Sequence, residues 1–196
     1  MKTAQTHLVL GSSSPFRQQL LQTLGLEFST CSPDIDETPL PGEAPKDLVA
    51  RLALEKAKAV AAQHPDALII ASDQVSVLKN TINGKPGNLE NATQQLKSSS
   101  GETVTFYTSL CLYDARDGSY QLDVVPFKVH FRHLTDEKIG RYLAKEQPFN
   151  CAGAFKSEGL GISLFEKLEG DDPNSLIGLP LIRLVSFLEQ KGIRIP

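Results

Sequence analysis

Between Ala67 and Lys79 the chain reads ALIIASDQVSVLK. So apolar a run predicts one long strand, central in its sheet and buried on both faces. Around it the hydrophobic period switches repeatedly between strand and helix spacing. HLVLG (7–11) and FSTCS (28–32) read as short strands, and TVTFYTSLCLYD (103–114) with SYQLDVVPFKVHFRH (119–133) as a hairpin about the ARDG turn. Ser14 and Pro15 read as the N-cap and first position of a helix reaching about Leu24. The polar loop PDIDETPLPGEAP (33–45) leads into a helix from Pro45 to about His64. LENATQQLKSS is helical and stops near Gly101, and Thr135 caps a helix to about Lys145. The Gly-rich CAGAFKSEGLG (151–161) precedes a strand, ISLFEKLEG, and Pro180 opens the last helix. Hairpins and crossovers together predict an α/β fold, a mixed sheet with flanking helices.

The 196 residues are 40% hydrophobic and 22% charged, which excludes disorder and fibrous classes. A chain of this size buries roughly 70% of its unfolded surface, enough for one domain over 1–196 built as two closely packed lobes. A net charge of -3 argues against a nucleic-acid-coating protein but not against a small phosphorylated ligand. No apolar run reaches the ~18 residues of a membrane span, and MKTAQTHLVLGSSSP has too few apolar positions for a signal-peptide core. Cys31, Cys111 and Cys151 are odd in number, far apart and without a CxxC, so they read as reduced thiols of a cytoplasmic protein. His130 and His133 sit in a strand-like run where i and i+3 face opposite sides, a poor zinc pair. The oligomeric state is not set by any of this; a homodimer is allowed.

Cations occupy positions that suit leucine. On the second helix, with Leu48 at zero, Leu52, Val49, Val60 and Ala53 fall at about 40°, 100°, 120° and 140°, and Lys56 at about 80°. Arg51, Glu55 and Lys58 point away. An ammonium on an inward stripe must snorkel, pair with a buried carboxylate or meet an anion. On the first helix Arg17 falls at about 100° from Phe16, among Leu20, Leu21 and Leu24. It lies in the first turn, where unpaired N–H groups and the helix dipole favour phosphate, and GSSSP, with Ser12 and Ser14, lets an anion approach the backbone. Packing of the Arg17 stem along the core edge is an equal alternative. Asp73 stands inside the strand-like run, where a carboxylate is costly unless paired. Glu37 lies in the acidic loop DIDET, and Lys85 on the turn between Gly84 and Pro86. Three cations with a misplaced carboxylate suggest a site for phosphates and a hard divalent cation. A buried ion-pair network and a phosphate-binding regulatory module remain as cofactor-free readings.

The motifs SxSPxR (Ser12 to Arg17), DETP (Asp36 to Pro39), EKA (Glu55 to Ala57), SDQV (Ser72 to Val75), GKP (Gly84 to Pro86), GAFKSEG (Gly153 to Gly159) and GLP (Gly178 to Pro180) occur in order. In these the chain resembles the Maf-like nucleotide pyrophosphatases from Leu8 to its final helix. The resemblance implies a two-lobed mixed α/β fold similar to the inosine triphosphate pyrophosphatases, with the active site in the cleft. It implies cleavage of a nucleoside triphosphate to monophosphate and pyrophosphate with a divalent metal cation such as Mg2+ or Mn2+. Carried onto this sequence, Arg17, Lys56 and Lys85 bind phosphate, and Glu37 and Asp73 are the catalytic and metal-binding acids. A carboxylate with a reference pKa near 3.9 is a poor base for free water, so base and metal ligand stay open as roles for Asp73.

Phe16, Gln74 and Glu158 depart from the commoner SPRR, DTV and GIQG patterns and resemble the subfamily associated with 7-methyl-GTP. A cationic methylated guanine gains roughly 0.5–2 kcal/mol by stacking on an aromatic ring. Its N1–H and N2–H2 donors match one carboxylate. Core packing of Phe16, and a solvent pairing of Glu158 with Lys156, are the bland alternatives. Gln18 stands where a second Arg is usual, one cation fewer for the phosphates. A dTTP/UTP pyrophosphatase of the same family and a non-catalytic nucleotide-binding regulator of septum formation are the rival functions.

Overall fold

The computed structural model describes residues 7–195; residues 1–6, on which part of the signal-peptide reading falls, lie outside them. Strand β1 (Leu8–Leu10) runs parallel to β2 (Ser29–Thr30) on one side and to β3 (Leu68–Ala71) on the other. Helices α1 (Pro15–Gln22) and α2 (Pro45–Ala61) make the crossovers. The framework is a hairpin of two twelve-residue strands, β6 (Thr103–Asp114) and β7 (Tyr120–Phe131), paired from Thr103–His130 to Tyr113–Tyr120. Pro126 is tolerated because that stretch of β7 is an outer edge; β8 (Phe165–Glu169) joins β7 only from Lys128 onward.

The expected long strand over 67–79 is divided. Its first part is β3 and its second is β4 (Gln74–Leu78), end to end along one edge of β6, with Ala71 opposite Cys111 and Gln74 opposite Thr108. Register is kept across the break, but the ladder is not. The Asp73 carbonyl accepts from Ser109 N–H at 2.9 Å, whereas Asp73 N–H donates to Ser109 Oγ at 3.0 Å. A serine hydroxyl thus replaces a strand carbonyl, and pairing lapses for Ser72 and Asp73. β5 (Thr81–Asn83) folds back on β4.

Alternate residues of β1 and β3 serve two cores, which is why their sequences are continuously apolar. Leu8, Leu10, Leu68 and Ile70 pack with Leu21, Leu184 and Leu188, from α1 and from α6 (Leu181–Gln190). Val9, Ile69 and Ala71 pack with Ala53, Ala57 and Val60 of α2. Beyond the break, α3 (Leu89–Ser99) and α4 (Asp136–Glu146) cover a third core around Phe106, Phe131, Phe155 and Phe165, whose rings meet edge to face. The strand expected from Ile162 begins only at Phe165, because Leu160–Leu164 is a 3-10 turn. In DDPN (171–174), Asp172 caps the short helix α5 (Pro173–Ile177). Among the described residues no helix is long and apolar enough to cross a membrane.

Candidate functional site

Helix α2 crosses the break in the sheet. Its first turns place Leu48, Val49 and Leu52 with Val75 of β4, and its later turns place Ala53, Ala57 and Val60 with β1 and β3. Lys56 stands between these sets and meets Asp73 where the ladder is open. Its Nζ is 2.6 Å from Asp73 Oδ1 and 2.8 Å from Glu37 Oε1. Lys56 and Asp73 are only 6% and 8% exposed, so each requires the other. Glu37 is open to solvent and reaches in from its loop. Arg51, on the far face of α2, holds that loop: its Nε and Nη2 grip both oxygens of Glu43 at 2.6 and 2.8 Å, and Nη2 also reaches the Thr38 carbonyl. The guanidinium holds the Glu43 carboxyl down to about 2. No spacing in the sequence marks this clamp, since Arg51 faces away from the core stripe.

Arg17 is positioned from its own helix and from the far end of the chain. Ser14 Oγ accepts Arg17 N–H at 3.4 Å, and Ser12 Oγ accepts Ser14 N–H at 3.1 Å. Arg17 Nε donates to the Gly178 carbonyl at 2.7 Å, which also accepts the Ser72 hydroxyl at 2.9 Å. Gly178 has φ 128°, a conformation that residues with a side chain rarely adopt, so the GLP glycine is what lets this carbonyl meet Arg17. Burial lowers the pKa of the guanidinium, and the charges of Asp73 and Glu37 pull it back up. Its two Nη groups make no hydrogen bond among the described residues.

Lys85 sits beyond β5 on a turn that α3 secures, Gln95 Nε2 donating to Gly84 O and Asn91 Nδ2 to Pro86 O. Its ammonium has no hydrogen bond or ion pair among the described residues. Gln74 spends its amide nitrogen on Thr108 Oγ1 and the carbonyls of Ser175 and Leu176. Phe16 is half-buried and belongs to none of the cores, so core packing does not account for it. Glu158 is exposed, and among the described residues its one hydrogen bond is accepted from the Ser157 hydroxyl, at 3.3 Å. Its supposed partner Lys156 is paired with Glu146 instead.

One cavity of about 920 Å3 brings all of these together: Ser12, Ser14, Phe16, Arg17, Glu37, Lys56, Asp73, Gln74, Lys85 and Glu158 all line it. That volume suits a nucleotide-sized ligand. Cys151 also lines it, and burial raises its pKa, which keeps it a thiol. Asp34, Asp36, Asp171 and Asp172 are not in the wall. No group of three or more His, Cys, Asp or Glu among the described residues is arranged to hold a metal.

The chain is similar to known proteins over nearly its whole length. The family description Maf-like protein matches residues 7–191. The chain is 59% identical over 185 residues to a 7-methyl-GTP pyrophosphatase of Nitrosococcus oceani, covering 94% of this chain and 93% of that protein. Proteins of the same name from Colwellia psychrerythraea and Vibrio vulnificus are 58% and 56% identical, covering 95% and 96% of this chain and 93% and 96% of theirs. Among solved structures, the Staphylococcus aureus Ham1 protein superposes with a TM-score of 0.51 over 95% of this chain and 100% of that one. At 11% identity that likeness speaks for the mixed α/β fold alone. The chain belongs to the Maf-like protein family.

Proposed function

We propose that the protein is a cytoplasmic nucleoside triphosphate pyrophosphatase that hydrolyses 7-methyl-GTP to 7-methyl-GMP and pyrophosphate, keeping a modified nucleotide out of RNA. The observation that carries the reading is the meeting of Arg17, Lys56 and Lys85 with Asp73 and Glu37 in a cavity that also exposes Phe16, Gln74 and Glu158. The three relatives, all at 56–59% identity over nearly the whole chain, carry that activity in their names.

In the reaction, water attacks the α-phosphorus and the bond to the bridging oxygen of pyrophosphate breaks. Negative charge grows on the α-phosphoryl oxygens and on the departing group. Lys85, with no hydrogen-bonding or ionic partner among the described residues, and Arg17, whose two Nη groups make no hydrogen bond among them, are ready to receive it, each well-placed donor contributing about 3 kcal/mol. Lys56 holds Asp73 by Oδ1, which leaves Oδ2 to orient the attacking water. A divalent metal cation belongs to the same reading. Asp73 and Glu37 fit it, being two hard carboxylates that already converge on one cationic centre, with phosphate oxygens and water to complete the shell. Such an ion supplies positive charge to the transition state and eases deprotonation of the water. At the base, the Phe16 ring stacks on a cationic purine, and Glu158 and Gln74 Oε1, which accepts no hydrogen bond among the described residues, accept the guanine N–H donors.

The test is phosphate release from 7-methyl-GTP, GTP, dTTP and UTP with added inorganic pyrophosphatase and varied metal. The reading expects 7-methyl-GTP to have the highest kcat/KM and chelation to stop turnover. A preference for dTTP or UTP overturns the roles of Phe16 and Glu158, and no turnover of any triphosphate overturns the enzyme.

A further inference from the structure

The loop that carries Glu158 is not free to choose its shape. Gly159 N–H and Gly161 N–H both turn back to the Lys156 carbonyl, at 3.3 and 3.0 Å, so residues 156–161 fold around that one oxygen. A Cβ on Gly161 would run into the same carbonyl, which explains the second glycine. The folded loop is then fastened to α4 at two points one turn apart. Tyr142 Oη accepts Lys156 N–H at 3.0 Å, and Glu146 Oε2 accepts Leu160 N–H at 2.9 Å. Glu146 also takes the Lys156 ammonium, by Oε1 at 3.4 Å and by its own carbonyl at 3.1 Å. The carboxylate closes on Gly159 so tightly that a Cβ there would lie 2.9 Å from Oε2. Glu146 is a mostly buried carboxylate, its side chain 16% exposed, and it does not line the cavity, whereas Lys156 and Glu158 do.

We infer that Glu146 is a positioning residue for base specificity, holding the 156–161 loop so that Glu158 faces the cavity and keeping the Lys156 ammonium occupied. The inference rests on the proposed reading of Glu158 as the acceptor for a cationic guanine. Two charges of opposite sign, Lys156 and Glu158, stand two residues apart on one loop, and only the negative one is left without an ionic partner. With Lys156 neutralised by Glu146, the loop presents net negative charge to the base. With Glu146 gone, the ammonium is released beside the same base and repels a methylated purine, while an uncharged guanine feels little change.

The experiment compares kcat and KM for 7-methyl-GTP and GTP in the full-length protein and its variants. Glu146→Gln keeps an acceptor for Leu160 N–H but removes the charge that neutralises Lys156. It is expected to lower the 7-methyl-GTP over GTP ratio of kcat/KM by about tenfold, through KM for 7-methyl-GTP, with kcat changed less than about twofold. Adding Lys156→Met to Glu146→Gln is expected to restore most of the ratio. Gly159→Ala displaces the carboxylate without removing a charge and is expected to lower the ratio in the same direction, which decides the matter if Glu146→Gln does not fold. Glu158→Gln separates the two ideas. If it lowers the ratio and Glu146→Gln does not, the positioning role is overturned and the base reading stands. If neither lowers it, both fall. An equal loss of kcat for the two nucleotides, or no recovery in the double variant, also overturns the role of Glu146.

Discussion

Two buried carboxylates flank the strand β3, and they differ in what their partners leave open. Asp114, 3% exposed, lies opposite Leu68 at one end of β3; Asp73, 8% exposed, follows Ala71 at the other. Both are aspartates in apolar strand sequence, and both are paired. Asp114 is saturated: Arg116 gives it Nε and Nη2 at 2.8 and 2.7 Å and its backbone N–H at 3.2 Å, and Lys191 gives Nζ at 3.1 Å. The Arg116 hydrogen bonds, helped by Lys191, hold its carboxyl well below the usual carboxylate range. Asp73 has one cation on Oδ1, shares that cation with Glu37, and opens onto a cavity. A misplaced carboxylate therefore signals chemistry only when its partners leave it something to do.

The comparison breaks most sharply at Asp73→Asn. Turnover of 7-methyl-GTP is expected to fall by about 1,000-fold or more, as for loss of a transition-state group, while binding of a non-hydrolysable analogue stays within about threefold. Full activity in that variant would remove Asp73 from the mechanism. Lys85→Met is next, with kcat/KM down by about 30-fold and melting temperature unchanged, because its ammonium makes no hydrogen bond or ion pair among the described residues. Gly178→Ala, strained at φ 128° and so bound to shift the carbonyl that holds Arg17, is expected to raise KM by about tenfold; an unchanged KM would show that the arginine does not depend on that carbonyl. Asp114→Asn should reverse the pattern, leaving kcat/KM intact and lowering stability by about 2 kcal/mol, some 5 °C in melting temperature. The smallest effect is its pH dependence. A carboxyl whose folded pKa lies below its unfolded value contributes stability above the unfolded pKa and loses it as pH falls through the folded one. The melting gap between wild type and Asp114→Asn is thus expected to be constant above about pH 5 and to narrow below about pH 4. A gap that widens in acid would contradict the assignment.

What could be read from sequence was whatever a period or a motif encodes. The helical angle of Lys56 among Leu48, Val49 and Leu52 located the buried ammonium, and the ordered motifs located Arg17, Asp73, Lys85 and Glu158. The break at Ser72–Asp73 was hidden, because the hydrophobic run continues across it and the interruption depends on a hydroxyl from Ser109, 36 residues away. The short helix α5 was hidden behind DDPN, whose Asp172 both caps that helix and accepts Ile182 N–H at 2.8 Å. Glu146 gave no signal either: at the end of the charged stretch YLAKEQ it looks like any solvent-facing acid, and only the glycines at 159 and 161 hint at what closes against them.

The unbroken pairing of β6 with β7 gives the molecule a splint. Because the splint spans the gap between β3 and β4, a fluctuation that parts Asp73 from Ser109 disturbs one local joint and leaves the alignment of both neighbouring strands intact. The Asp73 carboxylate is therefore carried at an interruption of the ladder, on a frame that β6 and β7 keep continuous.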